Sequence, residues 1–112
     1  MEQEKELVMF GRSWACPDQM RTQRFLTKMG VPYRMVMIDQ DEAAGALVEQ
    51  YVGHRSVPTM VVARPNENAP VVEPTQLTPG RSARSVDRGT LITEPSDEAM
   101  RAFLQRHELL TV

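Results

Sequence analysis

The first forty residues read as strand, helix, strand, and that order constrains the rest of the chain. Residues 7–10, "LVMF", form a short apolar run that stops at Gly11, the signature of a buried strand. A polar loop, "GRSWA", leads to Pro17, whose missing N–H suits the first position of a helix. Thr22, Phe25, Leu26 and Met29 recur at spacings of three and four and form its inward stripe. Gly30 and Pro32 end the helix. Residues 33–39, "YRMVMID", carry apolar side chains on both faces, as in a strand covered on two sides. A strand, a helix and a second strand in one sheet require a right-handed crossover and a parallel pair.

The later segments extend this plan. "DEAAGALVEQYV" reads as a helix with Ala44, Leu47, Val48 and Tyr51 on its apolar face and Gly53 closing it, although Gly45 weakens it. "SVPTMVVA" is a third strand, with Pro58 at its start because proline cannot donate to a ladder. Residues 64–88 hold four prolines and four arginines and are expected to form a long insert, either a loop that meets a partner or plain solvated chain. "VVEPT" (71–75) and "ITEPS" compete for the fourth strand. Residues 89–94 are favoured because a helix follows directly, capped by Ser96 with Asp97 and Glu98 at its positive end and Arg106 and His107 at its negative end. The expectation is an α/β chain, β-α-β-α-β-β-α, with strands three and four antiparallel.

With 112 residues and 25% charged side chains, the chain is expected to fold as one domain, 1–112. A net charge of −2 argues against a nucleic-acid surface. No apolar run approaches the about 20 residues of a membrane span, and "MEQEKE" is not an export signal. The expected setting is the cytoplasm, and the chain is taken as a monomer. A single Cys permits no internal disulfide, and one Cys with two His residues makes no metal-binding spacing.

That Cys is where the chemistry points. With Pro17 as the first helical residue, Cys16 is the N-cap, its sulfur near the free amides and the positive end of the helix dipole, which favours the thiolate. Arg12 is placed to assist if it folds back, and Trp14 to shelter one side of the sulfur. Asp18 opposes the effect by competing for the same donors and repelling an anion. The bland alternative is a small buried hydrophobe. Position favours chemistry, because the strand-to-helix edge is where βαβ folds place ligands.

"SWACPDQMRTQRFLTKMGVPYRMVMID", "SVPT" and "GTLITEPSDEAMRAFL" together resemble a glutaredoxin with its thioredoxin-like three-layer α/β/α fold, and most of all a mycoredoxin-type member. The resemblance implies that Cys16 is the nucleophile of thiol–disulfide exchange. It implies that Val57, through its backbone, and a cis Pro58 hold the partner's extended chain beside the sulfur, with Arg12, Trp14 and Pro17 around it. Gln19 stands where a dithiol member has its resolving Cys; it cannot attack, but its amide is placed to donate toward the sulfur. A disulfide at Cys16 then needs an outside thiol: glutathione, another low-molecular-weight thiol, or a thiol-containing protein. The family's γ-glutamyl-binding segment is not readable; Thr93, Ser96 and Asp97 are candidate substitutes, with helix capping as the bland alternative. One residue before the thiol, Ala15, reads as an insertion relative to the family. Pro17 after the thiol crowds a bridging iron–sulfur cluster. His54 is a candidate activator of Cys16, against an ordinary exposed loop residue. Two functions stay open: a monothiol oxidoreductase, and a thioredoxin-fold protein-interaction module without catalysis.

Overall fold

A computed structural model describes residues 4–14 and 16–110. The elements run β1 (Glu6–Gly11), α1 (Pro17–Met29), β2 (Arg34–Met37), α2 (Glu42–Val52), β3 (Thr59–Ala63), β4 (Leu91–Thr93) and α3 (Asp97–Arg106). One sheet takes the order β2-β1-β3-β4. β1 pairs parallel with β2 and antiparallel with β3, which pairs antiparallel with β4.

Strand alternation divides the core in two. Leu7 and Met9 of β1, Met60 and Val62 of β3 and Ile92 of β4 face one way, onto Phe25 and Leu26 of α1 and Met100, Phe103 and Leu104 of α3. Val8, Phe10, Val61, Ala63 and Leu91 face the other way, onto Ala44 and Val48 of α2. Successive strand residues point to opposite faces, so strands apolar throughout need helices on both sides. The result is a three-layer α/β/α sandwich of thioredoxin-like type.

Helix ends follow the sequence signals closely. Gly30 closes α1 in the left-handed conformation at φ 69°, which a side chain would strain. Asp41 and Ser96 cap α2 and α3, each accepting a hydrogen bond from the backbone three residues on. The buried face of α2 is Ala44, Gly45, Val48 and Val52, turned slightly from the expected stripe, with Leu47 and Tyr51 at its rim. Gly45 is explained by its neighbour: a Cβ there would lie 2.6 Å from Nη1 of Arg55, whose guanidinium crosses the helix to Glu42 and Glu49.

The insert is ordered on the sheet rather than solvated chain. Arg88 is 6% exposed and donates to the Thr75 and Tyr51 carbonyls at 2.8 and 2.6 Å. Val71 N–H donates to the Val62 carbonyl, Thr90 Oγ1 donates to the Val72 carbonyl, and residues 84 and 93 form a parallel bridge at the β4 edge. The fourth strand is residues 91–93, and 71–75 runs alongside as part of the insert. His107 lies at the expected end of α3, as its C-cap. Burial holds its imidazole below the ordinary value, Arg106 adding to the effect, and the ring packs on Phe103 and meets the Gly89 carbonyl at 2.6 Å.

Candidate active site at the start of the first helix

The loop from β1 to α1 is held from two directions. Gln19, 2% exposed, reaches back: Arg12 N–H donates to its Oε1 at 2.9 Å and its Nε2 donates to the Arg12 carbonyl at 3.1 Å. Gly11 makes the room, since a Cβ there would come within 2.8 Å of the Gln19 amide and would overlap the Met35 side chain. On the outer side, Ser13 donates through its N–H and Oγ to the Asp39 carboxylate at 3.0 and 2.7 Å. These bonds hold the Asp39 carboxyl below its ordinary value. The expected role of Gln19 is therefore corrected. Its amide is spent on the Arg12 backbone, inside the protein, and does not point at the sulfur.

Cys16 is the N-cap of α1, with extended backbone at φ −88° and ψ 166°. Its side chain is half-buried and makes no capping hydrogen bond. The thiol instead donates to the Val57 carbonyl at 3.8 Å, which suits a group whose sulfur is a weak acceptor. The Val57–Pro58 peptide is cis, and the Pro58 carbonyl accepts from Glu94 N–H at 2.8 Å. The turn before β3 thus faces the start of α1.

An open cleft lies over the sulfur. It is lined by Arg12, Asp18, His54, Arg55, Ser56, Val57 and Glu94. Arg12 folds across the cleft to the Arg55 carbonyl at 2.7 Å. His54 is exposed but belongs to this rim. Trp14 is 66% exposed and is not part of the cleft lining, so it does not shelter the sulfur. Ala15 lies outside the described residues.

The candidate thiol-binding group at the β4–α3 junction resolves into structural bonds. Thr93 is 1% exposed, its Oγ1 3.1 Å from that of Thr59. Ser96 Oγ accepts from Ala99 N–H, and Ser96 N–H donates to Ser85 of the insert. Asp97 faces Arg21 at 3.7 Å. Thr93 and Ser96 are consumed by the fold, because a buried strand end and a helix start each need their polar groups satisfied.

Sequence reasoning missed two groups here, Glu94 and Arg84. Glu94 follows β4 with φ 47° and turns its carboxyl into the cleft. Burial raises its pKa, and the neighbouring Asp18 adds to this. Arg84 arrives from the insert and bridges both acids. Together with Arg21 it keeps the Asp18 carboxyl far below the usual carboxylate range. An arginine 66 residues distant from its partner carries no local signal. Among the described residues no group of three or more His, Cys, Asp and Glu side chains is placed to hold a metal ion.

A lone thiol at the first turn of a helix, facing a cis-proline turn in a three-layer α/β/α sandwich, defines a thioredoxin-like protein with a thiol site. The glutaredoxin family model matches residues 7–64, just over half of the 112 residues. The chain belongs to the glutaredoxin family, and the match supports a function of thiol–disulfide oxidoreductase type. Comparison with curated proteins finds no match.

Proposed function

We propose that the protein is a monothiol, mycoredoxin-like oxidoreductase that exchanges mixed disulfides through Cys16, with an external thiol completing the cycle. The observation that carries this reading is the placement of the chain's single thiol, half-buried at the start of α1 and 3.8 Å from the Val57 carbonyl in an open cleft. In the first step the Cys16 thiolate attacks one sulfur of R–S–S–R′. A Cys16–S–S–R bond forms, the old S–S bond breaks, and R′S⁻ leaves and takes a proton from water. In the second step the thiolate of an outside molecule, R″S⁻, attacks the R sulfur. R–S–S–R″ departs and the Cys16 thiolate is regenerated, so electrons balance without any other oxidant or reductant.

The residues divide the work. Pro17 starts the helix at whose N-terminus the sulfur lies, the end of a helix that suits an anion. Arg12 brings positive charge to the rim where disulfide and leaving thiolate lie. The Val57–Pro58 turn presents backbone against which an extended substrate chain aligns. Gln19 supplies no second thiol, so an internal C–x–x–C disulfide is not part of the cycle. The co-substrate is glutathione or another low-molecular-weight thiol, and the partners are small mixed disulfides or thiol-containing proteins. We take the protein to work as a monomer in the cytoplasm, where such thiols are kept reduced.

A non-catalytic interaction module is the second reading, favoured by the engagement of Thr93 and Ser96 within the fold. Turnover separates the two. With a glutathione-capped small-molecule disulfide and excess glutathione, the wild type should release the capped thiol catalytically, and Cys16→Ser should lose at least 100-fold. A wild-type rate equal to that of Cys16→Ser, with folding intact, overturns the enzymatic reading.

A further inference from the structure

Asp18 occupies the second position of the helix that Cys16 opens, and its carboxylate lines the same cleft as the sulfur. Glu94 adds a second acid from the β4–α3 side. Anions here oppose the formation of a thiolate, so the available cations decide whether the nucleophile forms easily.

The cations around the cleft are placed differently. Arg55 lies 2.6 Å from Glu42 and 3.0 Å from Glu49. Arg12 donates to the neutral Arg55 carbonyl and keeps its charge at the rim. Arg21 reaches one oxygen of Asp18 at 2.8 Å while also holding the Pro95 carbonyl. His54 faces the cleft from the exposed rim. The cation that meets both acids comes from the insert. Arg84 Nη1 and Nη2 lie 2.9 and 3.0 Å from the two oxygens of Asp18, and Nη1 lies 2.8 Å from Glu94 Oε2. The next residue anchors it there: Ser85 N–H donates to the Thr93 carbonyl at 2.8 Å, and Ser85 Oγ donates to the Glu94 carbonyl at 3.2 Å.

We infer that Arg84 is a positioning residue for the chemistry at Cys16: the insert delivers a forked cation that bridges Asp18 and Glu94 and, with Arg21 on Asp18, offsets their charge and leaves the sulfur free to ionise. The inference rests on the reading of Cys16 as the exchange nucleophile. It gives the insert a use within the site, as the carrier of the charge that makes an acidic residue beside the thiol tolerable.

The test is the pH dependence of Cys16 alkylation by iodoacetamide, in which an S–C bond forms and iodide leaves. The reaction needs a thiolate but no disulfide exchange, and the chain has one Cys, so it reports this sulfur alone. Arg84→Gln should raise the midpoint by about half to one pH unit, and slow alkylation about 3- to 10-fold below it. Adding Asp18→Asn should bring most of the shift back, which removal of a merely structural anchor would not do. Arg84→Lys should recover part, because it keeps the charge without the fork, and 1 M KCl should shrink the difference. Asp18→Asn alone should move the midpoint down. An unchanged midpoint in folded Arg84→Gln, or a shift that Asp18→Asn fails to reverse, overturns the inference. Absence of disulfide turnover in a wild type that shows these shifts would count against the proposed function and leave the role of Arg84 intact.

Discussion

Gln19 shows how much one side chain decides at this site. Its amide closes a two-way bond with the Arg12 backbone from inside the protein, and that bond sets where the loop, and hence Cys16, begins. Gln19→Ala leaves a backbone donor and a backbone acceptor without their partner, at an expected cost of about 1–3 kcal/mol. Chemical denaturation should show this loss, and amide exchange at Arg12 should accelerate; unchanged stability would mean that the loop is held by the Ser13–Asp39 bonds alone. At this scale the thiol itself was legible, because Pro17 marks the helix start and the N-cap residue follows from it. The fate of Gln19 was not. A glutamine at the fourth position after the loop reads equally well as a donor to the sulfur or to the backbone, and Gly11, which makes room for the second choice, acts only through packing.

At the scale of elements, β1, α1, β2, α2, β3 and α3 announce themselves through periodicity and punctuation, and their order dictates the parallel and antiparallel pairs. The insert hides its structure because its contacts are long-range. Arg88 reads as a surface charge in a proline-rich stretch, yet it lies buried and donates to Thr75 and Tyr51. Burial lowers its pKa, a cost borne in exchange for satisfying two backbone carbonyls. Arg88→Ala should destabilise the fold by about 2–4 kcal/mol, since hydrogen bonds to a charged donor are lost and buried acceptors are left behind. Hydrogen exchange should then rise across residues 70–88 before it rises in β1 and β3. Protection unaltered in that segment would show that Arg88 does not clip it. Thr93, Ser96 and Asp97 teach the complementary lesson. Polar residues at a strand end and a helix start look alike whether they bind a ligand or finish the fold, and here the fold uses Thr93 and Ser96.

For the whole molecule, the sheet is the frame that brings together parts distant in the chain: the end of β1, the start of α1, the turn before β3, the loop after β4 and one residue of the insert. Only the first three were readable as neighbours, because the βαβ rule and the Val-Pro resemblance bring them together. Glu94 and Arg84 join through the β4 edge, and no spacing in the sequence links them to Cys16. The most direct check of the account is the mass of the intact protein after brief mixing with a glutathione-capped disulfide, followed by addition of excess glutathione. The account predicts a single added glutathione on Cys16 that disappears when the free thiol is added, regenerating the original mass. A protein that never gains the adduct, or one whose adduct resists the added thiol, would contradict it.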